Sequence, residues 1–278
     1  MNARGMVVTD LDGTLFQSER KASLRNLQTL AELGRRGHLR VIATGRNLYS
    51  ARKALRADFP VDYLLFSSGA GVMDWPAQRL LRSVSLSARE VARAFAALSA
   101  RNLDFMVHRP IPDNHFFHYY PAGGPNPDFE ARKSVYAPFA SPGDRSAPPP
   151  GEASQLLAVE PPDRRPSVYE ELRAELSGLT VLRATSPLDG RSRWIEVFSA
   201  LASKARAAAW LAGERGVDPR RVLAVGNDYN DRDLLEWAAH ACLVAGSPPE
   251  LLADFPSCSS GDDSDFAAAV EAWERGQL

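Results

Sequence analysis

The order of apolar and polar positions predicts alternating strands and helices at both ends of the chain. Short apolar runs typical of buried strands occur at residues 6–8, 39–43, 62–66, 222–225 and 241–245. Apolar residues at helical spacing follow the first run, at Leu24, Leu27, Leu30 and Leu33. Further helices are predicted at residues 47–57, 203–215, 231–239, 248–254 and 264–274. Strand, helix and strand in succession make neighbouring strands parallel, so we predict an α/β fold with a Rossmann-like parallel sheet.

The pattern changes from about residue 76, where shorter alternating strands replace the buried runs. Strands are predicted at residues 79–84, 103–108, 115–120, 154–159, 179–184 and 193–198, with capped helices beginning near Ser87 and Pro166. The proline-rich residues 137–152 are predicted to be an exposed, mobile loop without regular structure. We therefore predict a core domain of residues 1–75 and 191–278 and an inserted α+β domain of residues 76–190.

The amino-acid composition and net charge limit the kinds of molecule that the protein is expected to bind. The 278 residues carry a formal net charge of −1, which gives no reason to expect binding to nucleic acid or to an anionic membrane. No segment has the ~20 consecutive apolar residues of a membrane span, and no signal peptide is recognisable, so we expect a cytoplasmic protein with a small ligand. The two cysteines, Cys242 and Cys258, are too few for a disulfide scaffold, and we expect both to be reduced.

Polar loops follow three of the predicted parallel strands. They are Thr9-Asp10-Leu11-Asp12-Gly13-Thr14, Thr44-Gly45-Arg46 and Gly226-Asn227-Asp228-Tyr229-Asn230-Asp231. The carboxyl ends of parallel strands meet at one edge of a sheet, which is where such folds bind their ligands. We expect Asp10 and Asp12 to be a nucleophile and a proton-transfer partner at this edge.

Several carboxylates gathered at one edge would repel one another unless a cation lies among them. Oxygen ligands favour magnesium over zinc. A calcium loop beginning at Asp10 is excluded, because its twelfth position is Lys21 where a glutamate is required. With the hydroxyl of Thr44 and the positive charges of Arg46 and Lys204, such a site suits phosphoryl transfer.

The order of these motifs, with Lys204 between the second and third loops, resembles the haloacid dehalogenase superfamily. The resemblance is to its Cof-type phosphatases of subclass IIB, and it covers nearly the whole chain, including the place of an inserted cap. It implies that Asp10 is the nucleophile and Asp12 the general acid and base. It further implies phosphate or substrate contacts from Thr44, Gly45, Arg46, Lys204 and Asn230. A Mg²⁺ ion would be held by Asp10, Asp12 and the third loop, with Asn227, Asp228 and Asp231 as candidate ligands.

Two positions depart from the pattern of that family. Asn227 stands where the family usually has aspartate, so either Asn227 or its neighbour Asp228 would be the direct metal ligand. Ala205 follows Lys204 where glycine is frequent. In the inserted domain, His108, His115 and His118 do not suggest a zinc site, because His115 and His118 would face opposite sides of a strand. The surrounding aromatic residues are expected to form the domain core or the wall of a substrate pocket.

The sequence therefore predicts a magnesium-dependent phosphatase that acts on a small phosphorylated metabolite. A sugar phosphate is the preferred candidate for this substrate. A phosphomutase on the same core, or a catalytically weak binding or regulatory protein, are the alternatives. The sequence gives no indication of the oligomeric state.

Overall fold

The computed structural model describes residues 3–18 and 21–278. The chain forms two compact units, and each has a sheet and a core of its own. One unit contains residues up to 46 together with 51–82 and 203–278, and the other contains residues 47–50 and 83–202. The predicted fold class, a largely parallel α/β sheet with an inserted α+β region, is confirmed.

The helices and strands fall into three successive stretches of chain. The amino-terminal stretch contains β1 (Met6–Thr9), α1 (Leu24–Arg35), β2 (Leu39–Ala43), α2 (Leu48–Ala54), β3 (Tyr63–Phe66), β4 (Gly71–Asp74) and β5 (Arg79–Ser83). The middle stretch contains α3 (Ala88–Ala100), β6 (Asp104–His108), β7 (Phe117–Tyr120), α4 (Pro127–Val135), β8 (Ala140–Pro142), β9 (Gln155–Glu160), α5 (Tyr169–Glu175), β10 (Leu179–Thr185) and β11 (Arg193–Ser199). The carboxyl-terminal stretch contains α6 (Lys204–Glu214), β12 (Val222–Gly226), α7 (Arg232–Trp237), β13 (His240–Leu243), α8 (Pro249–Leu252) and α9 (Asp265–Glu274).

The first unit is built on a seven-stranded sheet of order β13-β12-β1-β2-β3-β4-β5. The strands from β13 to β3 are parallel, and β4 runs antiparallel to β3. In the centre, Thr9 lies opposite Val225 on one side and Ile42 on the other. The loops that follow β1, β2 and β12 consequently leave the sheet at one edge, as the sequence predicted.

The second unit is built on a six-stranded sheet of order β10-β11-β9-β6-β7-β8. Its strands pair antiparallel except for β7 and β8. Apolar side chains of one face pack with α3 and α5, while the opposite face carries Met106, Leu157 and Trp194 with Phe129 of α4 and Tyr136. The unit therefore has a separate buried layer on each face of its sheet.

The boundaries between the units differ from the predicted ones. Strand β5 joins the seven-stranded sheet, although the sequence analysis placed residues 79–84 in the inserted domain. Strand β11 lies in the six-stranded sheet, although residues 191–198 were assigned to the core. Strand pairing is decided by partners distant in sequence, so a change of local rhythm does not locate such a boundary.

Two local expectations are corrected. The stretch 137–152, expected to lack regular structure, begins with the 3-10 helix Ala137–Phe139 and continues into β8. Pro142 is tolerated there because β8 is an edge strand, where a missing N–H leaves no partner unsatisfied. The cysteines expected to be reduced form a disulfide between Cys242 and Cys258, because Leu243 and Ser257 pair in a parallel bridge that brings the two residues together.

A membrane span is not found among the helices of residues 3–18 and 21–278, none of which is both long and apolar enough.

Candidate active site

The turn after β1 is shaped by Gly13. Its φ of +83° is unfavourable for a residue with a side chain, and a Cβ there would lie 2.4 Å from the amide nitrogen of Asn227. Main-chain hydrogen bonds from Leu15 to Asp10 and from Phe16 to Leu11 close the turn. Asp10 is thereby fixed at the end of β1 with only 6% of its surface exposed.

Lys204 joins Asp10 to the loop after β12. Its Nζ donates to Asp10 Oδ1 and to Asp231 Oδ1, each at 2.6 Å, and the lysine is fully buried. Lys204 is the first residue of α6, whose amino terminus is capped by the hydroxyl of Ser203. The helix start therefore delivers one positive charge between two buried carboxylates.

The charges of this cluster depend on one another. Burial raises the pKa of Asp10, the ammonium of Lys204 pulls it down, and Asp231 raises it again, so that the pKa stays above its ordinary value. Burial alone would lower the pKa of Lys204, but the charges of Asp10 and Asp231 outweigh burial and raise that pKa. Lys204 is therefore a permanent cation, and any further positive charge nearby would favour the ionised form of Asp10.

Asp12 is held by Arg46 in a two-point ion pair. Nε and Nη2 of Arg46 lie 2.6 Å from the two carboxylate oxygens of Asp12. The hydroxyl of Thr44, which is 1% exposed, accepts the main-chain N–H of Arg46 at 3.1 Å. The planar guanidinium of Arg46 thus positions Asp12, the proposed acid and base, through two parallel hydrogen bonds. A lysine could not reproduce this geometry.

The loop after β12 is organised by Asp231. Its Oδ2 accepts the main-chain N–H groups of Asn227 at 2.9 Å and Asp228 at 3.1 Å, while its Oδ1 accepts from Lys204. Both of its oxygens are therefore engaged in holding the loop and the lysine. The amide nitrogen of Asn230 lies 3.7 Å from the place of a Cβ on Gly45, so the second and third loops are neighbours as predicted.

The amide of Asn227 faces the two first-motif oxygens expected at a cation. Turned with its nitrogen towards them, it donates to the main-chain oxygen of Asp12 at 3.2 Å and to Asp10 Oδ2 at 3.3 Å. Turned with its oxygen towards them, it accepts from Thr14 Oγ1 at 3.1 Å and places three oxygens together. Ligand oxygens of one octahedral Mg²⁺ are about 3 Å apart, so the second orientation has the oxygen spacing that such an ion requires.

The available donors therefore fit a hard divalent cation. Only one of them, the Asp10 carboxylate, carries a negative charge. Among the residues that the structure describes, no group of three or more His, Cys, Asp or Glu side chains is arranged to hold a metal ion. The fitting set is instead the Asp10 carboxylate, the Asp12 carbonyl and the Asn227 amide oxygen. Of the two neighbours Asn227 and Asp228, it is Asn227 whose side chain points to the first motif in this set.

The loop after β3 also supports the site, although it was not among the predicted site elements. Ser67 and Ser68 both have φ near +50°, which is strained for residues with a side chain. The N–H of Ser67 donates to the carbonyl of Arg46, and the N–H of Ser68 donates to the carbonyl of Thr44. A Cβ on the following Gly69 would lie 2.1 Å from the carbonyl oxygen of Ser203. This loop supports both the second motif and the start of α6, and its position after a parallel strand was the available signal.

Comparison with known proteins agrees with this geometry. A family model of haloacid dehalogenase-like hydrolases matches residues 7–259. The chain is 24% identical to 5-amino-6-(5-phospho-D-ribitylamino)uracil phosphatase YwtE of Bacillus subtilis (strain 168), over 88% of this chain and 89% of that protein.

Solved structures show the same fold. BT1666 from Bacteroides thetaiotaomicron, a phosphatase of the haloalkanoate (HAD) superfamily, matches with a TM-score of 0.74 and 18% identity over 99% of this chain and 96% of that one. The HAD subclass IIB sugar phosphatase BT4131 matches with a TM-score of 0.73 and 14% identity over 99% and 100%. The resemblance noted in the motifs is thus confirmed, and the chain belongs to the family of haloacid dehalogenase-like hydrolases.

Proposed function

We propose that this protein is a magnesium-dependent phosphatase that hydrolyses a small phosphorylated metabolite of the sugar-phosphate class through an aspartyl-phosphate. The observation that carries the proposal is the buried contact of Lys204 with Asp10, next to an Asp12 carboxylate held by Arg46. A nucleophile, a phosphate-binding cation and a proton carrier are thereby present within one sheet edge. Relatives named as a sugar phosphatase and as a phosphatase of a phosphoribityl compound support the substrate class.

The first half of the reaction transfers the phosphoryl group to the protein. Asp10 attacks phosphorus, and the bond from phosphorus to the leaving oxygen breaks. Asp12 enters this half of the reaction protonated and gives its proton to that oxygen, so the metabolite leaves as an alcohol and Asp12 becomes a carboxylate. Lys204 and the hydroxyl of Thr44 hold the phosphoryl oxygens and reduce their repulsion of the incoming carboxylate.

The second half releases phosphate. Asp12, now a carboxylate, takes a proton from water, which attacks the phosphorus of the aspartyl-phosphate and restores Asp10. Arg46 keeps Asp12 in position for both proton transfers. Asp10, the Asp12 carbonyl and the Asn227 amide oxygen would hold a Mg²⁺ ion, which would supply positive charge to the transferring group.

The test is phosphate release from a panel of phosphorylated metabolites with and without magnesium. We expect magnesium-dependent release from the wild-type chain, and loss of release in Asp10→Asn and Asp12→Asn variants that remain folded. Isomerisation of a hexose phosphate without net release would indicate a phosphomutase. Release that Asp10→Asn leaves unchanged would contradict the proposed nucleophile.

A further inference from the structure

A cavity of about 240 Å³ lies in the seven-stranded unit, at the amino ends of its parallel strands. It is lined by Arg4, Arg36, His38, Trp273 and Glu274. Arg4 comes just before β1 and His38 just before β2, whereas Asp10 and Thr44 follow the carboxyl ends of the same strands. Because β1 and β2 are parallel, the cavity lies at the sheet edge opposite the candidate active site.

Several polar groups of the cavity wall lack a partner. Nδ1 of His38 is buried and takes part in no hydrogen bond. Within residues 3–18 and 21–278, the guanidinium of Arg4 forms no ion pair or hydrogen bond, and the indole N–H of Trp273 has no acceptor. An arginine side chain presents five N–H groups and a tryptophan one, and none of these groups can accept. The wall therefore offers donors that a ligand with acceptor oxygens would satisfy.

The charges around the ring of His38 are mostly positive. Burial lowers the pKa of His38 and the guanidinium of Arg4 lowers it further, while Glu274 opposes the fall and Arg36 and Arg221 add to it. Glu274 already accepts from Nη1 of Arg36 at 2.7 Å. Among the described residues, neither Arg4 nor Arg221 forms an ion pair with a carboxylate. The cavity is therefore a region of uncompensated positive charge.

These features select a small, singly charged anion. A neutral ligand would leave the charge of Arg4 unbalanced, and a doubly charged phosphate would bring more negative charge against Glu274 in the wall. The volume is below the roughly 300–1,000 Å³ of pockets for drug-sized ligands, and the indole ring of Trp273 provides apolar surface. We propose that this cavity binds a small carboxylate with an aromatic or aliphatic body, and that the carboxylate group accepts hydrogen bonds from Arg4.

Binding at this cavity does not depend on the proposed phosphatase activity. The lining residues are separate from the candidate catalytic and phosphate-binding residues, and they lie at the other edge of the sheet. A carboxylate bound here should therefore not compete with phosphate. Calorimetry of binding tests the cavity whether or not the protein hydrolyses any phosphate ester.

A bound carboxylate should also change the titration of His38. Negative charge beside Arg4 would offset part of the positive charge that acts on the ring, so the pKa of His38 should rise when the ligand binds. His118 belongs to the six-stranded unit and serves as an internal reference, whose pKa should not change. Nuclear magnetic resonance resolves the two rings in one titration.

The experiment is a calorimetric titration of the full-length protein with benzoate in the absence of magnesium. Benzamide, which has the same ring and no charge, is the matched ligand. We expect benzoate to bind and benzamide to bind far more weakly. Arg4→Met should weaken benzoate binding by roughly tenfold, the loss expected for a charge-assisted hydrogen bond. Arg275→Met removes an exposed arginine that follows α9 outside the cavity wall, and it should keep the wild-type affinity.

The opposite results are equally specific. Benzoate binding that Arg4→Met leaves undiminished, or benzamide binding as tight as that of benzoate, would overturn the proposal. Displacement of benzoate by inorganic phosphate would overturn it as well, because the ligand would then not be a carboxylate held apart from the candidate active site. Absence of benzoate binding, or binding that leaves the pKa of His38 unchanged, would do the same.

Discussion

At the scale of single residues, the site depends on charges that cannot be separated from their partners. Lys204 is fully buried between Asp10 and Asp231, and Asp231 is also fully buried. A buried ion pair adds little net stability, but removing one partner leaves uncompensated charge. We therefore expect Lys204 to support the stability of the fold as well as its proposed role in binding phosphate.

Replacing Lys204 by Met should lower the free energy of unfolding by about 3–5 kcal/mol, the usual cost of breaking a buried ion pair. Phosphatase activity should be lost at the same time. Urea denaturation measures the first effect and phosphate release the second. Adding Asp231→Asn to the Lys204→Met variant should recover part of the stability and none of the activity. A single variant as stable as the wild type would show that the pair is not buried in solution.

Asn227 is expected to set the affinity for magnesium. Asn227→Asp adds a carboxylate beside Asp10 and removes the N–H donors that can face it, so Mg²⁺ should bind roughly tenfold tighter or better, since affinity rises with ligand charge. The thermal midpoint without metal should fall, because the new carboxylate then meets that of Asp10 without a cation between them. Calorimetry with magnesium, and thermal denaturation with and without a chelator, measure the two effects.

The matched control for Asn227 is Asp228→Asn, which should leave magnesium affinity close to the wild-type value. If Asp228→Asn weakens binding and Asn227→Asp does not strengthen it, Asp228 is the ligand. The sequence shows that either Asn227 or Asp228 could be the ligand, but it does not distinguish between them. The choice depends on which side chain reaches the Asp12 carbonyl, and this is a matter of loop geometry.

The buried ring of His108 predicts how the stability of the protein depends on pH. The folded-state pKa of His108 is about 3, below the ordinary value of 6.5. As the pH falls from 6.5 towards 3, the unfolded chain therefore takes up a proton at this residue, whereas the folded chain does not. Stability must therefore fall with decreasing pH, by about 2 kcal/mol from this group between about pH 7.5 and about pH 5. The difference in urea stability between wild type and His108→Phe should shift by this amount in favour of the variant. No shift would mean that His108 is not buried as a neutral ring.

At the scale of elements, the strands of both sheets were largely predictable because each is a short apolar or alternating run. Besides β8, two further elements were missed for physical reasons. Strand β4 begins at Gly71 directly after a turn, so its four residues show no independent pattern. Helix α4 buries Phe129 but few other apolar side chains, and its start is marked only by the cap Asn126 and by Pro127. Such elements are specified by tertiary contacts more than by periodicity.

The close approach of the β3 loop to α6 gives a prediction at this scale. Gly69→Ala would combine an unfavourable φ of +87° with a Cβ only 2.1 Å from the Ser203 carbonyl, directly before Lys204. Gly37→Ala has a similar φ of +79° with nothing within 4 Å. We expect Gly37→Ala to cost about 1 kcal/mol and Gly69→Ala about 3 kcal/mol or more, with activity lost only in the latter. Equal costs, measured by urea denaturation, would show that the loop can move away from α6.

At the scale of the whole molecule, the sequence indicated two architectures but misplaced the boundary by several residues at each end. Strand β5 extends the seven-stranded sheet after the rhythm has changed, and β11 completes the six-stranded sheet before the α/β rhythm resumes at Ser203. Neither strand, viewed alone, identifies the sheet to which it belongs. The choice is made by pairing, since β11 is hydrogen-bonded to β9 and β10 along most of its length.

The independence of the two cores leads to the last prediction. Residues 83–202 contain every strand of the six-stranded sheet and the buried layers on both of its faces, so they should fold when expressed alone. Circular dichroism should show mixed helix and strand, with a single cooperative urea transition. A fragment cut at the originally predicted boundaries, residues 76–190, lacks β11, which lies between β9 and β10. That fragment should fail to fold cooperatively, because removing an interior strand separates β10 from the sheet and exposes the unpaired edge of β9. Cooperative folding of the shorter fragment would mean that β11 is dispensable to the sheet that it bridges.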